Sequence, residues 1–265
     1  RSREIEYLVE SSLEDGMGEQ ETFDLIDLDG PAWVRLESAA FRMGSDSGRD
    51  DSRPVHDVHL SEFRISRHPV TNGQYAAFVG ETGRAAPEHW SGGEIPAGRS
   101  EHPVTYVSWA DAQAFCSWLT SRVGAGEGGA HLPTEAQWEF AARGVDGREY
   151  PWGDDQPSPE HANYQESAIE DTTPVGLHSS GATPDGVHDL AGNVRQWCLD
   201  WYNPYQDATQ QDPAGPEEGR ERALRGAAYV DASGTLRGSY RFNVDPDSRF
   251  GFVGFRVAWS SHGQR

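Results

Sequence analysis

Residues 55–65 (VHDVHLSEFRI) alternate apolar and polar positions, the period of a half-buried strand. Residues 33–44 (WVRLESAAFRMG) carry the same pattern in two pieces and predict two short strands around a turn. At residues 71–80 the period becomes helical: Thr71 caps, and Tyr75, Phe78 and Val79 share a face. A second helix starts at Ser108, which stands to Asp111 as in a capping box, with Ala112, Phe115, Leu119 and Val123 as its stripe. Thr134 caps a third helix running through Ala142, with Gln137 at its third position. Residues 1–30 are acidic and weakly patterned; Ile5, Leu8 and Val9 share one face of a short predicted helix. We read 1–30 as an extension or linker remnant and 31–265 as the domain. Because it opens on Arg1, the chain is expected to be part of a larger protein.

Beyond residue 144 turns dominate. Tyr150-Pro151-Trp152-Gly153 predicts a tight aromatic corner, residues 163–176 an extended polar stretch, Gly192-Asn193 a bend, and residues 203–220 a long loop. Composition agrees: Gly 30 and Pro 16 favour turns, while 9 Trp, 10 Phe and 9 Tyr supply a core despite 35% hydrophobic content. The net charge of -21 argues against binding nucleic acid through its phosphates and against an anionic membrane surface. All 22 basic residues are Arg. The acid excess reads first as a trait of habitat and second as a surface for a cationic partner. No apolar run approaches the roughly 20 residues of a membrane span, so no membrane insertion is expected, and no signal peptide is recognisable. Cys116 and Cys198 lie among aromatic residues and predict buried free thiols. His56 and His59 would face opposite sides of a strand, which argues against a metal pair.

The motifs FRMGS (41–45), FRISRHPVTNGQY (63–75), HPVTYVSWADA (102–112), LPTEAQWEFAARG (132–144), YPWG (150–153), TTPVG (172–176), DLAGNVRQW (189–197) and GFRVA (254–258) follow one another in an order that resembles the formylglycine-generating-enzyme / sulfatase-modifying-factor family. The resemblance implies an α+β, C-type-lectin-like fold with short twisted antiparallel strands, the three helices named above and much irregular loop. It also implies specific chemistry. The family's copper enzymes hold the metal through two cysteines, because Cu(I) prefers thiolates. Here those positions are Asp231 and Leu236, so no copper is expected by the usual cysteine pair. The alternative is a metal- and oxygen-dependent oxidoreductase of the formylglycine-generating-enzyme / sulfoxide-synthase kind. The synthases take histidine ligands from an N-terminal helical domain, whereas His89, His102, His131, His161 and His178 are scattered here. A structural calcium ion is a further implication, with Asn163 and Tyr164 as candidate ligands at one site and Asp189, Gly192, Val194 and Gln196 at the other. Gln196 stands where the family usually has Glu. A plain hydrogen-bonded turn is the alternative reading of these residues.

The C-terminal part is similar to the variable proteins of diversity-generating retroelements, in which adenines of a template are miscopied. An exchanged asparagine codon reaches many residue types but never Lys, Glu, Gln, Met or Trp, and residues 222–258 contain none of these. The resemblance implies a variable region at 224–256, with Tyr229, Val230, Asp231, Ala232, Phe242, Asn243, Val244, Phe250, Gly251 and Phe252 as candidate ligand-binding positions. Phe242, Phe250 and Phe252 would form an exposed apolar patch, or else belong to the core. Arg225, Arg237, Arg241, Arg249 and Arg256 would tie the strands to carboxylates. The expected partner is a protein or small-molecule ligand of unknown identity.

Overall fold

The computed structural model describes residues 21–124 and 128–261; the helical face expected from Ile5, Leu8 and Val9 lies outside them. Among the described residues the elements run β1 (Trp33–Leu36), β2 (Ala39–Met43), β3 (His56–Leu60), β4 (Phe63–Ser66), α1 (Asn72–Thr82), α2 (Trp109–Val123), β5 (Gly129–His131), α3 (Glu135–Arg143), β6 (Arg195–Trp201), β7 (Gln210–Gln211), β8 (Arg222–Arg225), β9 (Arg241–Val244), β10 (Val253–Gly254) and β11 (Ala258–Ser260). They build three sheets, ordered β1-β4-β11-β5, β10-β6-β8-β9 and β2-β3-β7. Most pairs are antiparallel, as expected. The exceptions are β6 with β10 and β3 with β7, which are parallel and join distant parts of the chain.

The alternating run at 55–65 is two strands rather than one. β3 ends at Leu60, and β4 enters a different sheet. The break is pinned by Ser61, whose amide and hydroxyl donate to the Asp212 carboxylate at 2.6 and 2.8 Å. Its alternation holds on β3, where His56 is buried and His59 exposed. The stretch 203–220 is likewise not all loop, since it contributes β7.

All three helices begin with a reciprocal capping box: Thr71 with Gln74, Ser108 with Asp111, and Thr134 with Gln137. Each cap satisfies orphan amides and contributes about 1 kcal/mol. α1 and α2 bury their apolar faces in one aromatic core, where Phe115 stacks on Tyr75 at 6.0 Å and meets Phe255 edge-on at 5.4 Å. Leu25, only 4% exposed, joins this core, and its carbonyl accepts from the Trp33 indole. Part of the stretch read as an extension is therefore packed into the domain. Cys116 and Cys198 are buried free thiols, and burial raises both pKa values.

A second core surrounds α3, with Trp138 and Phe140 against Phe41, Val58 and Phe63. The same helix buries two carboxylates. Glu135 takes Arg241 at 2.6 and 2.7 Å, while Glu139 pairs with Arg225 and, at 2.6 Å, with Arg143. Burial alone would raise the Glu139 pKa; Arg225 and Arg143 outweigh it and hold it below the ordinary value. This network fixes β8 and β9 to α3. Removing one partner would strand a buried charge.

Candidate functional site

Strand β8 is followed by Gly226, which turns with φ +72° against the Trp138 ring. The chain then exposes Val230 (42%) before burying Asp231. Asp231 accepts from Arg195 Nε at 2.9 Å, Arg195 Nη2 at 2.5 Å and the Ala228 amide at 2.8 Å. Arg195, at the start of β6, also lies over two rings, 4.0 Å from the centroid of Phe242 and 5.2 Å from that of Phe252. Phe252 stacks on Phe250 at 5.1 Å, and Phe242 tilts against Tyr240 at 4.8 Å. The Tyr240 hydroxyl accepts from Arg49 at 2.8 Å. One cation thus gathers candidate residues from three stretches, and such cation–ring contacts contribute roughly 0.5–2 kcal/mol each.

The candidates divide by depth. Val230, Ala232, Asn243 and Phe250 are exposed; Tyr229, Phe242, Val244, Gly251 and Phe252 are half-buried; Asp231 is buried. Of the three phenylalanines expected outside, only Phe250 is exposed. Phe242 and Phe252 lean on the first core because Arg195 and the sheet draw them in. Asn243 donates to Glu221 at 2.5 Å. Leu236 packs with Tyr150, Tyr164 and Ala227. Neither copper-ligand position therefore offers a soft donor: one is a carboxylate held by an arginine, the other an apolar side chain in a packed cluster.

The candidate calcium residues adjoin. A Cβ on Gly192, where φ is +82°, would stand 2.4 Å from the Asn163 carbonyl oxygen, which accepts from the Asn193 amide at 2.7 Å. Asn163 Nδ2 donates to the Asp171 carbonyl at 2.7 Å, the Tyr164 amide donates to Ser167, and Val194 is buried. Asp189 Oδ2 accepts from the Gly176 amide at 2.7 Å. Gln196 Oε1 accepts from Trp138 at 2.8 Å and from Arg256 Nε at 2.7 Å. The Asp189 carbonyl takes Gln196 Nε2 at 2.5 Å and Arg256 Nη2 at 3.2 Å. Arg256 thus holds two of the oxygens that set would offer, Gln196 Oε1 and the Asp189 carbonyl. Among the described residues, no group of three or more His, Cys, Asp or Glu is placed to hold a metal ion.

Two cavities were not foreseen. One, of about 240 Å³, opens between Tyr229 and Gly251 on one side and Asn72, His89, Arg99 and Tyr106 on the other. The other, about 450 Å³, is lined by His56, Glu135, Asp200, Tyr205 and Arg241 among others. There burial and the neighbouring Glu135 lift the Asp200 pKa to about 7. Arg195 itself was visible in the DLAGNVRQW motif, but its partners come from positions 36 to 57 residues away, a pairing that local pattern cannot reveal.

Comparison with known proteins places these features. A family model described as the sulfatase-modifying factor enzyme 1-like domain matches residues 21–261. A formylglycine-generating enzyme of Streptomyces coelicolor is 34% identical, covering 85% of this chain and 88% of its own. A hercynine oxygenase of Mycolicibacterium thermoresistibile is 31% identical over 79% of this chain, which spans only 53% of that protein. Among solved structures, Treponema denticola variable protein 1 superposes with a TM-score of 0.73 at 24% identity, covering 85% of this chain and 94% of that one. At that identity the likeness speaks for the fold, which is α+β and C-type-lectin-like as expected.

Proposed function

Because the chain belongs to the sulfatase-modifying-factor family, whose scaffold serves more than one chemistry, we propose that this member is a ligand-binding variable protein of a diversity-generating retroelement. The observation that carries the reading is the convergence on Arg195. Side chains from three separated stretches of the candidate variable region, Asp231, Phe242 and Phe252, meet at one residue outside it, and Phe250 extends the group into solvent. The absence of Lys, Glu, Gln, Met and Trp from residues 222–258 supports the same reading. So does the anchoring of β8 and β9 on α3, since a fixed backbone lets surface positions change without loss of fold. The ligand is a protein or a small molecule that meets Val230, Ala232, Asn243 and Phe250 first.

A second reading, a metal- and oxygen-dependent oxidoreductase, draws on the identity to the Streptomyces enzyme and to the hercynine oxygenase. It requires a metal site other than Asp231 and Leu236. The deciding experiment is to sequence the DNA downstream of the gene. The proposal expects a near-copy of the stretch encoding residues 224–256, differing only where the copy has adenine, beside a reverse-transcriptase gene. If that copy is missing, the proposal is withdrawn, and copper and iron uptake by the purified protein becomes the measurement of interest.

A further inference from the structure

Ile169 lies outside the candidate variable region, yet it stands 40% exposed. Its neighbours Ala168 and Glu170 hold φ +56° and +60°, a left-handed conformation that side chains other than Gly, Asn and Asp seldom adopt. The backbone thus accepts strain on both sides of a large apolar side chain that remains in water. Strain of this kind persists only where the surrounding structure enforces it, and it gathers at binding sites. The loop is tied to the display face at both ends. At one end the Gln165 amide donates to the Asp231 carbonyl at 2.9 Å, and Glu166 accepts from the Ser233 amide at 3.1 Å and hydroxyl at 2.9 Å. At the other, Asp171 lines the 240 Å³ cavity together with Tyr229 and Gly251. The loop therefore borders both the segment that exposes Val230 and the one that exposes Phe250 (37%). Ile169, Val230 and Phe250 are three of the five large apolar side chains exposed among the described residues. Scattered singly they would need no explanation, but gathered around one face they mark a binding surface.

Charge says what this surface takes. The arginines around it are spent: Arg195 on Asp231, Arg99 on Asp171 and Arg249 on Asp111. The carboxylates are not. Glu166 and Glu170 flank Ile169, and Asp245 and Asp247 sit in the turn that precedes Phe250, where the Asp247 amide donates to Asp245 at 2.9 Å. All four are exposed and stand in no ion pair among the described residues. The Ser233 amide is the first cause that holds the Glu166 pKa below its ordinary value, so this carboxylate is charged at neutral pH. An approaching anion would meet four unpaired negative charges and no free guanidinium. A second copy of this chain, with its own net charge of -21, would meet the same repulsion.

We propose that the 165–171 loop is a constant part of the binding face, and that the face docks a basic segment of a protein partner in which an apolar side chain is flanked by Lys or Arg. The apolar side chain covers Ile169, Val230 and Phe250, which removes their surface from water. The flanking cations meet Glu166 and Glu170 on one side and Asp245 and Asp247 on the other. The loop then supplies affinity that does not change, while Val230, Ala232, Asn243 and Phe250 select among partners of this class. The inference rests on the ligand-binding reading of this face but not on how its sequence arose. A missing downstream DNA copy would withdraw the retroelement origin and leave a bound peptide standing, and an unbound peptide would leave the copy standing.

The test titrates the whole chain with end-blocked peptides, followed by backbone amide NMR at low ionic strength. The probe is Lys-Lys-Leu-Lys-Lys; the controls are Lys-Lys-Ser-Lys-Lys, which lacks the apolar centre, and Glu-Glu-Leu-Glu-Glu, which reverses the charge. The probe is expected to shift amides of residues 166–170, 230–232 and 245–251, the serine peptide to bind at least about fivefold more weakly, and the acidic peptide not to bind. Ile169→Ser is expected to weaken the probe by about tenfold. Glu166→Gln with Glu170→Gln, where the new amide keeps an oxygen for Ser233, is expected to weaken it by at least about fivefold. Glu37→Gln with Asp57→Asn removes the same charge from exposed positions away from this face and is expected to leave binding unchanged. Should Glu166→Gln unsettle the loop, Asp247→Asn takes its place beside Glu170→Gln with the same expected loss. The proposal is overturned if the probe shifts no amide of the 165–171 loop, if either control peptide binds as tightly, or if the distant charge pair matters as much as the pair on the face.

Discussion

Arg195 grips Asp231 with two nitrogens while its flat face lies over Phe242 and Phe252. The pair is mostly shielded from water, so its strength depends on both members being present. Asp231→Ala would leave the guanidinium and the Ala228 amide without their acceptor. A loss of about 2 kcal/mol is expected, read from chemical unfolding. Adding Arg195→Leu should restore part of that loss, because the orphaned charge is then gone. A double variant less stable than the sum of the singles would count against this account of the pair.

Phe250 and Phe255 test the division between displayed and structural rings. Phe250 is exposed and stacks on Phe252, whereas Phe255 is fully buried against Tyr75 and Phe115. Phe250→Asn, the residue the template resemblance implies there, is expected to change stability by less than about 1 kcal/mol. Phe255→Ala is expected to cost roughly 3–5 kcal/mol. Thermal denaturation of the two variants side by side is the measurement.

Protonation at Asp200 should be visible in stability. Burial first, and then Glu135, raise its folded pKa to about 7 from an unfolded value near 3.8. Between these values the folded state holds a proton that the unfolded state has released, so the stability owed to this group falls as pH rises. Asp200→Asn keeps an oxygen for the Glu135 amide, which Asp200 accepts at 2.8 Å, but removes the charge. The melting temperature of the variant relative to the parent is therefore expected to rise from about pH 4 to about pH 7 and then level off. His68 and His102 act in the opposite sense. Desolvation is the first cause of their pKa values of about 3 and about 4, so acid should destabilise the parent as pH falls below about 6.5 through those values.

Calcium is expected to leave the melting temperature unchanged, since the Asp189 and Gln196 side chains already serve the Gly176 amide, Trp138 and Arg256. Parallel melts with millimolar calcium and with a chelator provide the check. A calcium-dependent rise of several degrees would mean that other oxygens in the 163–194 loops bind the ion.

The helices were legible because each announces itself locally. Ser108-x-x-Asp111 and Thr134-x-x-Gln137 state where α2 and α3 begin, and the apolar stripe of α2 follows. The split of 55–65 has only a weak local mark, the consecutive polar residues Ser61 and Glu62, and what pins it is Asp212, far along the chain. The same limit applies at the site. The sequence marks Phe242 and Phe252 as unusual, but not that Arg195 lies over both. That Asn72, His89, Tyr229 and Gly251 line one cavity depends on packing that no local pattern carries.

Four arginines of the C-terminal stretch share one habit: their acids live elsewhere in the chain, while Arg256 bonds Gln196 and backbone carbonyls instead. Arg225 and Arg241 reach Glu135 and Glu139 on α3, Arg237 reaches Glu149, and Arg249 reaches Asp111. The genetic code gives that habit a meaning. Arginine can be spelled without adenine, whereas every spelling of aspartate or glutamate contains one. Under the proposed copying process, which errs at adenine, an arginine spelled without adenine would be proofed against rewriting and a carboxylate would not. Placing the carboxylates outside the proposed rewritten stretch would leave both halves of the clamp heritable, while the side chains between the arginines would stay free to differ from one descendant to the next.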